Sequence, residues 1–227
     1  MKCIFRLKMS VAGFALLAGV VMMEASNEMP KVLIIGDSIS IGYLPFVQEM
    51  MKGEAMVTRP FDANGEPENC QGTTNGKRYI DKWIGEERWD IIHFNFGLHD
   101  IKHVKPDTGK NSNDPNDPQQ AVVKQYRKNL AEIVERLKAS GAKLVFATTT
   151  PYPDTVRKPL RSSGMPKKYN RAALAIMKKE GISVNDLHVL VAPQMEALQR
   201  PDNVHFTETG YEALAVEVVK AIRAFDR

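Results

Sequence analysis

The residues best suited to chemistry in this 227-residue chain stand at two places that are far apart in the sequence. Ser38 lies in the segment GDSIS (36–40), directly after the apolar run KVLII, and His205 ends the segment PDNVH. A serine hydroxyl becomes a nucleophile when a histidine takes its proton, and a carboxylate commonly orients that histidine. Asp202 lies three residues before His205, so one turn can present both side chains. Ser38 is therefore a candidate nucleophile and His205 its candidate base.

A second interpretation of the GDSIS segment needs no catalysis. A polar side chain between a strand and a helix commonly caps the helix, so Asp37 or Ser38 can serve that role alone. The position also suits catalysis, because ligands of a parallel α/β sheet bind at the carboxyl ends of its strands. Both interpretations stay open until the partners of Ser38 are known.

The other histidines give weaker signals. His93 falls inside a predicted strand and is expected to be a core histidine, while His103 and His188 have no chemical context. Histidines and carboxylates do not gather at the spacing of metal ligands, so we expect neither a metal nor a cofactor. A phosphate-binding loop is disfavoured too, because IIGDSIS has one glycine and no following lysine.

Apolar runs alternate with stretches of helical period along the chain, which is typical of a parallel sheet flanked by helices. Near-continuous apolar character suits strands that are buried on both faces. The predicted strands are KVLII (31–35), AMVTRP (55–60), DIIHFNFG (90–97), KLVFATTT (143–150) and ISV (182–184).

Helices and one long loop are expected between these strands. The first helix should tolerate Pro45 only near its start, and apolar residues recur at three- and four-residue steps over residues 119–139. A last helix should cover residues 208–225, with Thr207 as its N-cap. The segment 105–120 is rich in Asn, Asp and Pro, so it predicts a surface loop that either walls a site or is a solvated insertion.

Residues 1–25 differ in composition from the rest of the chain. Lys2, Arg6 and Lys8 precede an apolar run that is too short for a comfortable transmembrane span, a pattern typical of a secretory signal peptide. We therefore expect export to the periplasm or the extracellular space, with a single domain over residues 30–227. An uncleaved N-terminal anchor is the alternative, because the small-residue pattern near Ala25 is poor.

Removal of residues 1–25 changes the charge and the cysteine content. Lys plus Arg falls from 31 to 28 and Asp plus Glu from 27 to 26, so the net charge drops from +4 to +2. No block of like charges favours a nucleic-acid partner. Cys70 becomes the only cysteine, so it is expected to be a free, packed thiol in a chain without an internal disulfide.

The order and spacing of four short blocks resemble the SGNH (GDSL-type) hydrolases. GDSIS matches the first block of that family, Gly72 in NCQGTTNG the second, and DNVH the last. The resemblance implies a three-layer α/β/α, flavodoxin-like fold whose parallel five-stranded sheet has the order 2-1-3-4-5. It also implies an esterase with the triad Ser38, His205 and Asp202, and an oxyanion hole that includes the backbone N–H groups of Ser38 and Gly72.

The third block departs from the family pattern. GLHD (97–100) has His99 where the family has an asparagine that donates to the oxyanion. A neutral imidazole can donate one N–H, so His99 is a candidate third donor, and Asn75 and Asn95 are alternatives. A purely structural role, in which His99 hydrogen-bonds a neighbouring loop, also stays open.

Together these features predict a secreted serine esterase that removes small acyl groups, most simply acetyl, from carbohydrate. Its partners would be small-molecule or carbohydrate esters, with no nucleic acid and no stable membrane span after signal removal. Lysophospholipid or thioester hydrolysis is an alternative activity. A non-catalytic carbohydrate-binding protein on the same scaffold is the alternative outside enzymes.

Overall fold

A computed structural model describes residues 28–162 and 164–225, and within these residues five strands form one parallel sheet. The sheet order is β2-β1-β3-β4-β5, which confirms the predicted flavodoxin-like topology. The predicted signal peptide, residues 1–25, lies outside the described residues. The strands are β1 (Lys31–Ile35), β2 (Met56–Thr58), β3 (Ile91–Phe94), β4 (Lys143–Ala147) and β5 (Ser183–Asn185).

Helices cover both faces of this sheet. Helices α1 and α8 pack together in one layer, and α4 packs between α2 and α5 in the other. None of the described helices is long and apolar enough to span a lipid bilayer. Their bounds are α1 (Ser38–Met50), α2 (Thr73–Ile84), α3 (Leu98–Ile101), α4 (Val123–Ala139), α5 (Met165–Glu180), α6 (Leu187–Val191), α7 (Met195–Leu198) and α8 (Glu208–Arg223), with a 3₁₀ turn at Ala192–Gln194.

The core explains why the central strands are so apolar. Val32, Leu33, Ile34 and Ile35 of β1 are at most 1% exposed, because the strand is covered by helices on both faces. Each such side chain contributes about 1.5–3 kcal/mol when it leaves water. Burial of β1 on both faces therefore fixes the position of the turn that follows it.

Helices α1 and α8 approach each other closely at a glycine. A Cβ atom on Gly42 of α1 would lie 2.1 Å from a ring carbon of Tyr211 on α8, so this packing needs a residue without a side chain. Thr207 caps α8 as predicted, since its Oγ1 accepts a hydrogen bond from Gly210 N at 3.1 Å.

Two predicted helix features differ from the structure. Pro45 lies in the middle of α1 rather than near its start, at an exposed position of the helix. Helix α4 begins at Val123 rather than at residue 119. The preceding residues are held elsewhere, because Gln120 N donates to Lys102 O at 2.8 Å and Ala121 N to Asp100 O at 3.1 Å.

Candidate active site

In the turn after β1, Asp37 caps the following helix and Ser38 does not. The side chain of Asp37 accepts a hydrogen bond from Ile39 N at 2.9 Å, so Asp37 is the N-cap of α1. Ser38 is the first helical residue, at the carboxyl end of the sheet, and its hydroxyl is not used to cap the helix. Of the two interpretations of this segment, capping belongs to Asp37, and the hydroxyl of Ser38 is available for other chemistry.

The hydroxyl of Ser38 meets a histidine from the other end of the chain. Oγ of Ser38 lies 2.9 Å from Nε2 of His205, across 167 positions of sequence. Burial lowers the pKa of His205 below 6.5, and the charges of Arg200 and Arg161 lower it further. The imidazole is therefore neutral at pH 7, so Nε2 can accept the Ser38 proton when Nδ1 carries the ring hydrogen.

The oxygen beside Nδ1 of His205 belongs to Asn203. Its Oδ1 lies 2.8 Å from Nδ1 and also accepts a hydrogen bond from His205 N at 3.0 Å. The sequence led us to expect Asp202 in this position, and the structure differs here. Asp202 has a φ of 53° and an exposed side chain. Among the described residues, none forms a hydrogen bond or an ion pair with it.

Gly72 directly precedes α2 and packs against the turn that carries His99. A Cβ atom at Gly72 would lie 2.9 Å from Oδ2 of Asp100, so the close approach requires glycine. Asp100 accepts hydrogen bonds from Thr73 N at 2.9 and 3.1 Å and a further one from Thr73 Oγ1. Burial raises the pKa of Asp100 to about 7. This carboxyl group therefore fixes the Gly72 segment relative to His99.

His99 shares a pocket with Ser38 and His205. Burial lowers the pKa of His99 to about 3, with the charges of Lys102 and Arg161 acting in the same direction, so the ring is neutral. Its Nδ1 is buried, and no described residue makes a hydrogen bond with the ring. The alternative role for His99, a hydrogen bond to a neighbouring loop, is therefore absent from the described residues.

The two alternative oxyanion donors are used elsewhere. Nδ2 of Asn75 donates to Cys70 O at 3.1 Å, and Nδ2 of Asn95 donates to Ala147 O at 2.7 Å. Their amide groups hold the backbone at the carboxyl edge of the sheet. Of the three candidate side-chain donors named from the sequence, only His99 has no hydrogen bond to a described residue.

A buried arginine is hydrogen-bonded to the turn that carries Ser38. Arg59 is 2% exposed, and its guanidinium donates to Ser40 Oγ at 2.9 Å, Gly36 O at 3.0 Å and Glu68 O at 2.6 Å. Beside it, Cys70 is a buried free thiol whose pKa burial raises to about 12. Sequence reasoning did not single out Arg59, and its only signal was a charge at the end of an apolar strand.

The other histidines have structural partners. His93 is fully buried, with Nε2 3.2 Å from Oδ1 of Asn185, as expected for a core histidine. Nδ1 of His103 lies 2.6 Å from a backbone carbonyl oxygen, and Nδ1 of His188 lies 3.0 Å from another. Within residues 28–162 and 164–225, no group of three His, Cys, Asp or Glu side chains could hold a metal ion.

The pocket around Ser38 is open and has a volume of about 420 Å³. The loop 105–120 contributes Asn111 to its lining, and the segment 156–161 contributes four residues. Sequence reasoning missed that segment, which has no motif. The residues of 156–161 that line the pocket are Val156, Lys158, Pro159 and Arg161.

The sheet topology together with the Ser38–His205 pair defines an α/β protein with a serine-hydrolase type of site at the carboxyl edge of its strands. The chain belongs to the GDSL-like lipase/acylhydrolase family, whose profile matches residues 34–213. Ester hydrolysis is the general activity of that family. No match was found among curated proteins.

Solved structures share this fold at low sequence identity. A lipase/acylhydrolase from Enterococcus faecalis is 22% identical, with a TM-score of 0.68 over 87% of this chain and 97% of that one. The acetyl xylan esterase AlAXEase is 16% identical, with a TM-score of 0.67 over 85% and 99%. An acetyl-xylooligosaccharide esterase from Geobacillus is also 16% identical, with a TM-score of 0.64 over 85% and 94%. These similarities show that the chain shares its fold with the three solved proteins.

Proposed function

We propose that this protein is a serine esterase that removes small acyl groups, in the first place acetyl, from carbohydrate esters. The observation that carries the proposal is the 2.9 Å contact between Ser38 Oγ and His205 Nε2 at the wall of an open, polar pocket. Family membership supports the reaction class. Two proteins of the same fold that are described as acetyl-xylan and acetyl-xylooligosaccharide esterases support the choice of acyl group and alcohol.

In the proposed mechanism, Ser38 Oγ attacks the ester carbonyl carbon while Nε2 of His205 takes the hydroxyl proton. The carbonyl oxygen becomes an oxyanion, which the backbone N–H groups of Ser38 and Gly72 and an N–H of His99 stabilise. His205 then returns its proton to the leaving alcohol, and an acyl group remains on Ser38. Water, deprotonated by His205, attacks the acyl-enzyme, and His205 returns that proton to Ser38 Oγ as the carboxylic acid leaves.

The turn of Asp202 and Asn203 provides the oxygen that holds Nδ1 of His205 in this mechanism. The resemblance of the sequence assigns that oxygen to Asp202, and the contact in the structure is made by Asn203. Either oxygen can accept a hydrogen bond from Nδ1–H of His205, which leaves Nε2 unprotonated and facing Ser38.

The function is tested with p-nitrophenyl acetate, butyrate and octanoate, each incubated with wild-type protein and with Ser38→Ala. We expect turnover that falls with acyl length and disappears in the variant. Equal turnover by wild type and Ser38→Ala would exclude Ser38 as the nucleophile. Faster hydrolysis of the octanoate would favour the lysophospholipase or thioesterase alternative.

A fluorophosphonate probe separates an esterase from a carbohydrate-binding protein on the same scaffold. Such probes react with activated serine hydroxyls, so we expect labelling of the wild type and none of Ser38→Ala. Thr74, an exposed residue of α2, provides a matched control, because Thr74→Ala removes a hydroxyl outside the pocket and should label normally. Absence of labelling in folded wild-type protein would favour the binding protein.

We also propose that the protein is exported, with residues 1–25 acting as a signal peptide. The basic residues followed by an apolar run support this proposal. Cell fractionation of a C-terminally tagged full-length chain, followed by N-terminal mass analysis, tests it. Full-length protein confined to the cytoplasm would contradict the proposal.

A further inference from the structure

The pocket that contains Ser38 has a basic wall formed by Lys102, Lys158 and Arg161. Asp202 is the one acidic residue among those that line the pocket. Within the part of the chain that the structure describes, none of the three basic residues forms an ion pair with a carboxylate. The histidines of the pocket are neutral at pH 7, so its net charge is positive.

Arg161 is the buried part of this basic wall. The residue is 6% exposed, and its Nε donates to Leu98 O at 3.1 Å, which holds it against the turn that carries His99. Nη1 makes a longer hydrogen bond of 3.5 Å to Pro159 O, and Nη2 has no partner among the described residues. Asp37 and Tyr152 act on this charge through space, but no described carboxylate forms an ion pair with it, and a charge removed from water needs a compensating group.

Lys102 lies close to Arg161 and adds a second positive charge that has no carboxylate in an ion pair with it. Lys102 is partly buried, and burial together with the neighbouring charge of Arg161 lowers the pKa of its ammonium group. Two cations that repel each other are stabilised when an anion binds between or beside them. Lys158 is exposed and lies at the rim, while Asn69 and Asn111 bring amide groups to the same pocket. Arginine and lysine at one wall, with amide donors nearby, are suited to oxyanions.

We propose, building on the esterase function proposed above, that the preferred substrates carry a carboxylate or a phosphate on the alcohol portion of the ester. The anionic group binds to Arg161 and Lys102, with Lys158 at the rim, while the ester carbonyl lies at Ser38. The alcohol portion must carry the charge, because an acetyl group has no further ionisable group. An acetylated acidic sugar and an acetylated sugar phosphate both have this chemistry.

Three aryl acetates of matched shape test the proposal: 4-acetoxybenzoate, its neutral methyl ester, and 4-acetoxyphenyl phosphate. Dividing each kcat/KM by the rate constant for hydroxide-catalysed hydrolysis removes the difference in leaving group. We expect a corrected kcat/KM at least about tenfold higher for one or both anionic acetates than for the neutral one, the effect of one charge-assisted hydrogen bond. Which anion is preferred separates the carboxylate from the phosphate.

Added salt and charge-removing substitutions show whether the basic wall causes the preference for anionic acetates. The preference should shrink as KCl is raised, because added ions screen the attraction. Lys158→Gln and Arg161→Gln should each lower the ratio of anionic to neutral kcat/KM. Lys128→Gln, an equal charge change at an exposed position of α4 outside this pocket, should leave the ratio unchanged. Lys158 is exposed, so its variant decides the question even if Arg161→Gln does not fold.

The results that would overturn the anion preference, its assignment to the basic wall and the esterase function differ from one another. Hydrolysis of all three acetates with equal corrected rates, lost in Ser38→Ala, would overturn the anion preference and leave the esterase function intact. A preference that Lys158→Gln and Arg161→Gln do not change would overturn the assignment to the basic wall. No Ser38-dependent hydrolysis of any acetate would overturn the esterase function, and the anion preference with it.

Discussion

Oδ1 of Asn203 lies 2.8 Å from Nδ1 of His205, while Nε2 of the same ring lies 2.9 Å from Oγ of Ser38. The imidazole is therefore held at both nitrogens, and the amide oxygen selects the tautomer that leaves Nε2 as the acceptor. An asparagine oxygen has no full charge, so it orients the ring without the electrostatic stabilisation that a carboxylate gives to an imidazolium ion.

This contact predicts the effects of two neighbouring substitutions. In the observed geometry, Asn203→Ala should lower kcat by roughly a hundredfold or more, because the ring loses its fixed tautomer. Asp202→Asn should have a small effect, since the exposed Asp202 side chain makes no hydrogen bond with a described residue. Steady-state kinetics with p-nitrophenyl acetate measure both. The opposite order of effects would assign the ring contact in the working enzyme to Asp202, as the sequence resemblance implies.

Substitutions of His99 test the third oxyanion donor. His99→Asn restores the residue type of the family and should keep or raise activity. His99→Ala removes the donor and should lower kcat by about a hundred- to a thousandfold. The pKa of His99, about 3, keeps the ring neutral, so this residue should add no inflection to the activity profile between pH 5 and pH 9. Equal kcat for wild type and His99→Ala would remove His99 from the mechanism.

Gly72→Ala tests whether the close approach of Gly72 to Asp100 positions an oxyanion donor. The added Cβ would lie 2.9 Å from Oδ2 of Asp100, so the segment must move. We expect kcat to fall by about a hundredfold or more, with a smaller change in KM, because the oxyanion forms only during the reaction. Thr74→Ala, two residues further along, is the folded control. Wild-type kcat in Gly72→Ala would show that this N–H is not required.

The pH dependence of activity should reflect His205. Its pKa is lowered first by burial and then by Arg200 and Arg161, and a general base works only when unprotonated. Activity should therefore rise with pH through a midpoint below 6.5. Arg200→Gln removes one neighbouring charge and should move that midpoint upward, whereas Lys128→Gln should not. A profile of kcat/KM from pH 4 to pH 9 measures the shift, and an unchanged midpoint in Arg200→Gln would contradict the electrostatic explanation.

Asp100 should link stability to pH. Burial raises its pKa from 3.8 to about 7, so the folded chain holds this proton more tightly than the unfolded chain. Its contribution to the free energy of unfolding is complete below pH 3.8 and is lost as the pH rises through 7. Asp100→Asn keeps a neutral group there, so urea unfolding should show the variant gaining stability relative to wild type between pH 5 and pH 8. A constant difference across that range would contradict the raised pKa.

Much of the fold was predictable because its signals are local. The run KVLII predicted β1 at its exact bounds, since a strand buried on both faces must be apolar along its length. The glycine and the acid after it predicted the turn, and the position of Ser38 followed from the general place of ligands in parallel sheets. Helix α4 was placed four residues too early, because Gln120 and Ala121 bond to the backbone of a distant turn that no local pattern reveals.

The candidate site was predictable only in part, because its remaining residues are brought together by tertiary structure. Ser38 and His205 stand in recognisable segments, and the structure brings them together. Arg161 and Lys158 come from a stretch without a motif, and they reach the pocket only through the path of the chain between β4 and α5. The choice between Asp202 and Asn203 depends on the backbone angle of one turn, which residue types alone do not fix.

The close packing of α1 on α8 at Gly42 also bears on the order in which the protein folds. Ser38 begins α1 and His205 stands just before α8, so the pair can meet only after the C-terminal helix has docked beside the first one. Bringing together residues 167 positions apart carries a loop-closure cost that local contacts do not have. Catalytic competence is thus a property of the completed chain, and a nascent chain that already has its central strands would still be inert.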